Sequence, residues 1–504
     1  MNQISIFDGT TQLKIDKPIR LIECFAGYGS QALALKYLGA DFEHWKIAEW
    51  AVKSIQAYKD MHFPDDNTDY SAGYSKEWLV DYLFAKGISA DYNKPMTREQ
   101  ISRMGEDKIR RVYNNIIATH NLVSVCGVSG KDLEITDTDK YDYILTYSFP
   151  CQDLSQAGLS KGMAKGSGTR SGLLWEIERI LDECEELPQI LLMENVPQVI
   201  GEKNRDAFRD WFLKLESLGY KSWYAIMNSK DYEIPQNRER CFMVSALGDC
   251  YYDFPEKTGC KLRLKDLLEK DVGQEYYLSD SLIEYFERHT VESKEKGNGF
   301  KFEPTDGDCI GKCVTTRAGG RMDDNFIRCD CAEHVSPTLT TCGGGNQEVK
   351  IAVPSAVACG YEYAESGDSI NLSYPNSKSR RGRVGHQVAQ TLLTQNEIAV
   401  VEPYYKVEQE EIRVFDAYNK REIGGDAVGT NCKNAGARQA GVFWVKKTNS
   451  LVRKLTEREC FRLMGVKDED FDRVAKNQSK SSLYHLAGDS IVTNCLMAIF
   501  KEML

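Results

Sequence analysis

Cys151 stands directly behind Pro150 in the stretch YSFPCQDLS (147–155), at the end of an apolar run, YDYILTYSF, that reads as a buried strand. A thiol becomes a nucleophile where backbone N–H groups, a helix N-terminus or a cation favour its thiolate. A strand end opening into small and polar residues offers that setting. Two further strand ends carry chemistry suited to the same crevice. MENVP puts Glu194 at the end of the next apolar run, and QNRER puts Arg238 and Arg240 two residues apart, on one side of an extended segment. A thiol, a carboxyl and a guanidinium around one cleft suit an electron-poor pyrimidine. The thiolate adds to C6, the carboxyl hydrogen-bonds or protonates N3, the arginine holds O2, and C5 gains nucleophilic character. A protein that only bound the base would have no use for the thiol.

A second set of residues reads as a binding site. FAGYGS places Gly27 and Gly29 between an apolar run and a helical pattern, where a ligand can approach the backbone and a helix N-terminus closely. Ala32 stands where a dinucleotide fingerprint carries its third glycine, which weakens a dinucleotide reading. Glu49 ends the next apolar run and can accept hydrogen bonds from ribose hydroxyls; Trp50 beside it offers a flat face to a purine. Together these residues read as a site for a nucleoside-containing cofactor, with a plain strand–helix turn as the alternative.

Both sets need a frame to position them. In residues 18–60, RLIECF, AGYGS, QALALKYLGA, HWKIAEW and AVKSIQAYKD predict strand, turn, helix, strand and helix. From 141 the alternation resumes, with YDYILTYSF, QILLMEN and RCFMVSAL as strands and SGLLWEIERILDECEEL and DAFRDWFLKLESLG as helices. This predicts an α/β fold, a mostly parallel sheet whose strands' C-terminal edge holds the ligands. Between the blocks, 62–122 carries two amphipathic helical stretches, WLVDYLFAKG and DKIRRVYNNIIATH. From 251 to 450 Gly, Thr and Asn take over, and a phrase recurs unevenly (CVTTRAGG, PTLTTCGGG, QTLLTQNE). That texture predicts a smaller strand-rich domain and no solenoid. Helical texture returns over 451–504, in LVRKLTERECFRLMGV and SIVTNCLMAIFKEML.

Composition narrows the function class. The 504 residues are 42% hydrophobic and 28% charged, an ordinary globular balance. Residues 1–17 lack the apolar core of a signal peptide, and no run approaches the roughly 18 apolar residues of a membrane span. A cytoplasmic protein with no membrane partner is expected. The sixteen cysteines are scattered and read as reduced thiols. A net charge of −11 argues against a nucleic-acid coat, though not against a local contact. Lys161, Lys165 and Arg170 share one loop, and SKSRRGR carries Lys378, Arg380, Arg381 and Arg383. Cys309, Cys313, Cys329 and Cys331 form no CxxC pair, and the histidines show no ligand spacing, so no metal is expected.

Taken in order, these motifs resemble those of the DNA cytosine-5 methyltransferase family. FAGYGS with Phe25 resembles the family's S-adenosylmethionine motif, Glu49-Trp50 its second motif, and Asp132 in GKDLEI its third, which contacts the adenine. FPCQ resembles the nucleophile motif, with Pro150 beside the cofactor; ENVP resembles the glutamate motif and QNRER the QxRxR motif. RKLTERECFRLMG and LAGDSIVTN resemble the ninth and tenth motifs, the last closing on the cofactor through Asp489. The resemblance covers about 18–60, 125–245 and 451–504. It implies a Rossmann-like S-adenosylmethionine-dependent catalytic domain at 1–250, with helices on both faces of its sheet and an insertion at about 62–122. A target-recognition domain at 251–450 and a segment 451–504 that returns to the catalytic domain would follow.

The implied reaction is methyl transfer to C5 of a flipped-out cytosine in double-stranded DNA, with Cys151 bonded to C6, Glu194 at N3 and Arg240, supported by Arg238, at O2. Gln152 to Arg170 would close over the base, with Ser155 and Arg170 on phosphates, and Thr340 in PTLTTCGGG would meet the DNA backbone. The implied setting is a monomer in a bacterial cytosol or nucleoid, of bacterial or phage origin, with a cognate restriction endonuclease as a candidate partner. Two features depart from the family. The interval from Glu49 to Asp132 is long, and Asp489 stands where Asn is more usual. The alternatives are an RNA cytosine methyltransferase and a non-catalytic DNA-binding module on the same fold. The long variable region favours DNA, and the presence of Cys151, Glu194 and both arginines favours catalysis.

Overall fold

The computed structural model describes residues 11–150, Leu154, 162–295, 300–329 and 451–504, together with short strands between 351 and 423. Six strands form the central sheet: β1 (Ile19–Cys24), β2 (Phe42–Ala48), β3 (Asp142–Tyr147), β4 (Ile190–Asn195), β5 (Tyr220–Asn228) and β6 (Glu239–Leu247). Their order is β2-β1-β3-β4-β6-β5. The first four run parallel, and β6 lies antiparallel to both β4 and β5. Register decides what meets at the edge. Cys24 pairs with Tyr147 and Tyr147 with Met193, so β1, β3 and β4 end together. Because β6 is reversed, its beginning, with Arg238 and Arg240, arrives at the same edge.

Helices α1 (Ser30–Leu38) and α2 (Val52–His62) follow β1 and β2. The insertion adds α3 (Lys76–Lys86), α4 (Arg98–Ser102) and α5 (Glu106–Ala118), and α6 (Leu174–Glu183) and α7 (Arg205–Ser217) flank β4. After α8 (Asp280–Glu295), the chain returns at 451 with the strand Leu451–Lys454, antiparallel to Phe326–Cys329, then α9 (Glu457–Leu463), α10 (Asp468–Ala475), α11 (Lys480–Asp489) and α12 (Thr493–Lys501). Adjacent strand residues face opposite layers. Leu21, Ile144, Leu192 and Val244 pack with α1 and α12, whereas Ile22, Leu145, Met193 and Met243 pack with α6 and α7. Burial on both faces is why these strands read as continuous apolar runs.

Three elements differ from expectation. β5 lacks such a run because it is an edge strand with Tyr224 and Ile226 exposed, so the sequence does not announce it. The stretch LVRKLTEREC is not helical throughout. Thr456 caps α9 in a reciprocal box with Glu459, which fixes the helix start and leaves Leu451–Lys454 free to pair as a strand. Lys480–Lys501 is long and apolar enough by composition to cross a membrane. Here it is α11 and α12, separated after Asp489, and 61% of its apolar window is buried inside the protein.

The chain divides into two compact units, Met1–Cys329 with Leu451–Leu504, and Asp330–Ser450. The boundary expected at 250 falls inside the first unit. Gly311–Lys312 pairs with Gln236–Asn237, and Val314 and Ile327 join the core under α1 and α12. In the second unit, Ile351–Pro354 pairs with Tyr361–Ala364, Ser369–Asn371 lies between Val384–Gly385 and Ile398–Val400, and Val414–Asp416 pairs with Arg421–Ile423. Cys151, Ser155, Lys161, Thr340, Cys331 and the SKSRRGR cluster lie outside the described residues. The insertion has its own core, with Leu79, Leu83, Ile101, Ile109, Val112 and Ile116 packed on Ile55 of α2.

Candidate active site

The turn after β1 opens the site. Phe25 and Gly27 take left-handed backbone, with φ of 60° and 58°, and Gly29 follows at 81° just before α1. A Cβ on Gly29 would collide with His62 and Tyr58, so the close approach of α2 demands glycine there. The Gly27 N–H donates to Glu49 Oε2 (2.9 Å) and the Ala51 N–H to Oε1 (2.7 Å). Asn121, at the end of the insertion, accepts from the Glu49 N–H (3.1 Å) and donates to its carbonyl (2.9 Å). Burial pushes the Glu49 carboxyl up to about 7, against the pull of the N–H bonds.

A cavity of about 440 Å³ joins this turn to the ends of β3, β4 and β6. Phe25, Gly27, Glu49, Trp50, Pro150, Arg170, Glu194, Arg238, Arg240 and Asp489 all line it. The approach to Cys151 is fixed from two sides: Asn195 Nδ2 donates to the Phe149 carbonyl (2.9 Å), and Ser171 Oγ to that of Pro150 (2.7 Å). Glu194 is 8% exposed at the end of β4, and its Oε1 lies 3.1 Å from Arg240 Nε. Burial raises the Glu194 carboxyl above its ordinary value while Arg240 and Arg238 oppose the rise.

Arg238, expected beside Arg240 on the base, lines the cavity and also ties distant parts of the chain together. It is buried, and its Nη1 donates to the Val314 carbonyl (3.0 Å) and the Cys313 sulfur (3.2 Å). Its Nη2 donates to the carbonyls of Gly488 (2.8 Å) and Ser490 (2.7 Å). The guanidinium is committed to clamping the residues around Val314 and Asp489 against the start of β6. Burial pushes the Cys313 thiol up, but Arg238 and Arg240 outweigh it and hold the thiol below its ordinary value.

Asp132 was expected to contact the adenine. It is exposed, and its Oδ2 caps the turn Gly130–Leu133 by accepting from the Ser129 N–H (2.7 Å) and Oγ (2.7 Å). The cavity wall is supplied instead by Val123, Ser124, Val125 and Cys126, directly after the insertion. Asp489 ends α11 with Oδ2 3.1 Å from His485 Nδ1. Arg170 sits at the cavity and its Nη2 donates to Asn93 Oδ1 (2.6 Å), a residue of the insertion. Sequence reasoning missed Ser54, Tyr92, Asn93, Ser124 and His485, all on the cavity wall. None belongs to a motif with a spacing rule.

A family model described as C-5 cytosine-specific DNA methylase matches residues 83–504. The chain is 36% identical over 338 residues to the orphan methyltransferase M.SssI of Spiroplasma monobiae, an alignment covering 66% of this chain and 82% of the relative. It is 35% identical over 269 residues to the type II methyltransferase M2.ScrFI of Lactococcus lactis subsp. cremoris, covering 53% and 71%. With the orphan methyltransferase M.SPRI of Bacillus phage SPR the identity is 28% over 427 residues, covering 76% and 89%.

Proposed function

Because the chain belongs to the C-5 cytosine-specific DNA methylase family, its reaction is methyl transfer from S-adenosylmethionine to C5 of a cytosine in DNA, and we propose that Cys151, Glu194 and Arg240 carry it. C5 and C6 lie inside the base stack, so the target cytosine must leave the duplex. Cys151 as thiolate bonds to C6. Glu194 holds or gives a proton at N3, which accepts the charge of the addition, and Arg240 holds O2. C5 thereby becomes the nucleophile. It takes the methyl group, the methyl–sulfur bond of the donor breaking as the C5–methyl bond forms; a base then takes the C5 proton, and Cys151 departs as thiolate. The observation that carries this reading is the convergence of Pro150, Glu194 and Arg240 on one cavity with Phe25, Glu49 and Trp50.

That cavity fits S-adenosylmethionine. Glu49 is buried with both oxygens oriented by backbone N–H groups, which suits a carboxylate waiting for ribose hydroxyls. Glu49 would hold the ribose, Phe25, Trp50 and Ser124 would meet the adenine, and the α11 end at Asp489 would meet the amino-acid portion. When bound, the cofactor supplies an electrophilic methyl group. Arg238 positions the α11 end. We assign target recognition to residues within 251–450, with Ser155, Arg170 and Thr340 toward the DNA backbone. The active species on double-stranded DNA is a monomer, and a restriction endonuclease of matching specificity is its candidate partner.

Transfer of labelled methyl from S-adenosylmethionine to genomic DNA and to bulk tRNA, with the parent chain and Cys151→Ala side by side, tests the assignment. Label in DNA that disappears with the variant supports it, and sequencing for 5-methylcytosine then gives the target sequence. Undiminished transfer by Cys151→Ala would remove the nucleophile from this residue.

A further inference from the structure

The insertion between β2 and β3 returns to the cavity through one loop, Ser89–Pro95. Its ends pair with each other, and Ser89 ties it to the residues directly after Glu49. The Ser89 N–H donates to the Trp50 carbonyl (2.8 Å), and the Val52 N–H donates to that of Ser89 (2.9 Å). Inside the loop, Ser89 Oγ donates to the Lys94 carbonyl (2.8 Å), and Asp91 Oδ1 accepts from the Asn93 N–H (3.0 Å). At the tip, Tyr92 has φ of 61°, a backbone conformation that bulky side chains rarely adopt.

In that conformation the Tyr92 ring stacks on His485, with centroids 4.3 Å apart and planes 13° apart. Its hydroxyl lies 3.0 Å from Ser54 Oγ. His485 in turn sits 3.1 Å from Asp489 Oδ2, and all four residues line the cavity with Glu49. One tyrosine thus joins α2 and α11 around the same space. Its neighbour Asn93 holds Arg170 (2.6 Å) just ahead of α6.

We propose that Tyr92 is a cofactor-contacting residue and that the loop Ser89–Pro95 forms a wall of the S-adenosylmethionine site, with His485 as the stacking partner that positions Tyr92. Asn93 and Arg170 connect that wall to the chain that leads into α6. The role holds only if the cavity takes S-adenosylmethionine. A flat ring lining the same cavity as Trp50 and Glu49 offers apolar contact to an adenosyl or sulfonium portion, and an insertion built only for folding has no need of a strained aromatic at this place.

The test is calorimetric titration of the full chain with S-adenosylhomocysteine for the parent, Tyr92→Ala and Tyr92→Phe, alongside KM for S-adenosylmethionine and kcat on DNA. Tyr92→Ala should weaken binding about three- to tenfold, the worth of one aromatic contact, and raise the cofactor KM in step. Its kcat at saturating cofactor should stay within about twofold, and Tyr92→Phe should recover most of the loss. Unchanged affinity in Tyr92→Ala, or a loss confined to kcat, overturns the proposal. Should Tyr92→Ala fail to fold, His485→Ala removes the stacking partner instead, and unchanged affinity there has the same force. A parent chain that binds no S-adenosylhomocysteine would overturn the cofactor assignment itself, a failure distinct from an unaffected variant.

Discussion

Arg240 Nε lies 3.1 Å from Glu194 Oε1, although one residue begins a strand and the other ends one. The reversal of β6 against β4 makes this possible, with Glu194 paired to Phe242. Two influences meet on the carboxyl: burial raises its pKa, and the guanidinium lowers it. A substrate oxygen that engages Arg240 weakens the lowering influence, which moves Glu194 toward holding the proton that N3 needs.

Glu194→Gln should therefore lower kcat by about 10²- to 10⁴-fold, the usual worth of a positioned acid–base group. Affinity for S-adenosylhomocysteine should be unchanged. Steady-state methyl transfer at saturating DNA reads this directly; a variant within tenfold of the parent would take Glu194 out of the proton path.

Arg238 should behave as a clamp. In Arg238→Ala the buried carbonyls of Val314 and Ser490 lose a donor, at a cost of about 1–3 kcal/mol each, and the half-buried carbonyl of Gly488 loses one at a smaller cost. Arg238→Lys keeps the charge but gathers its donors on one nitrogen and cannot replace the fork. Urea denaturation should show a clear loss of stability for both. A fully stable Arg238→Ala that has lost only kcat would restore the direct role on the base expected from QNRER.

The sheet and its edge were legible because each strand buried on both faces is a continuous apolar run, and each such run ends in a short motif with its own chemistry. Glu49, Pro150, Glu194 and Arg240 all line one cavity. Asp132 was placed by aligning a motif across an insertion whose path the sequence does not give. Ser124 takes the cavity position while Asp132 caps a turn. The clamp made by Arg238 was hidden for a different reason. Spacing tells which side a residue faces, whereas its partners, Gly488 and Ser490, are some 250 residues away in the chain. Tyr92 was invisible, since stacking on His485 is purely tertiary.

Gly488 offers a sharper test of the closure of LAGDS onto the sheet. A Cβ there would run into the backbone of Thr315 and Thr316, and backbone cannot step aside as a side chain can. Gly488→Ala should cost at least about 2 kcal/mol and weaken cofactor binding with it. Gly105→Ala, in open space at ordinary φ at the N-cap of α5, is the control and should cost no more than about 1 kcal/mol. Equal stability of the two variants, measured in urea, would mean that the contact of Gly488 with 315–316 is loose.

Beneath the glycine turn, Glu23 is buried in β1, accepting from the Tyr58 hydroxyl (2.6 Å) and the Ala32 N–H (3.2 Å). Burial nevertheless pushes its carboxyl from 4.5 up to about 7. Between those values the folded chain holds a proton that the unfolded chain has released. The stability Glu23 contributes is full below 4.5 and is lost as pH rises toward 7, at up to about 1.4 kcal/mol per unit. His44, with Nδ1 2.9 Å from the same hydroxyl, works in the opposite direction. Burial lowers it from 6.5 to about 4, so the unfolded chain binds the extra proton and stability rises with pH across that span. The two slopes mask each other in the parent chain, and the difference between parent and variant separates them. Relative to the parent, Glu23→Gln should gain stability steadily from pH 5 to pH 7 and level off above it, as read from urea midpoints at each pH. A difference that does not change with pH would mean that Glu23 ionises alike in the folded and unfolded chain.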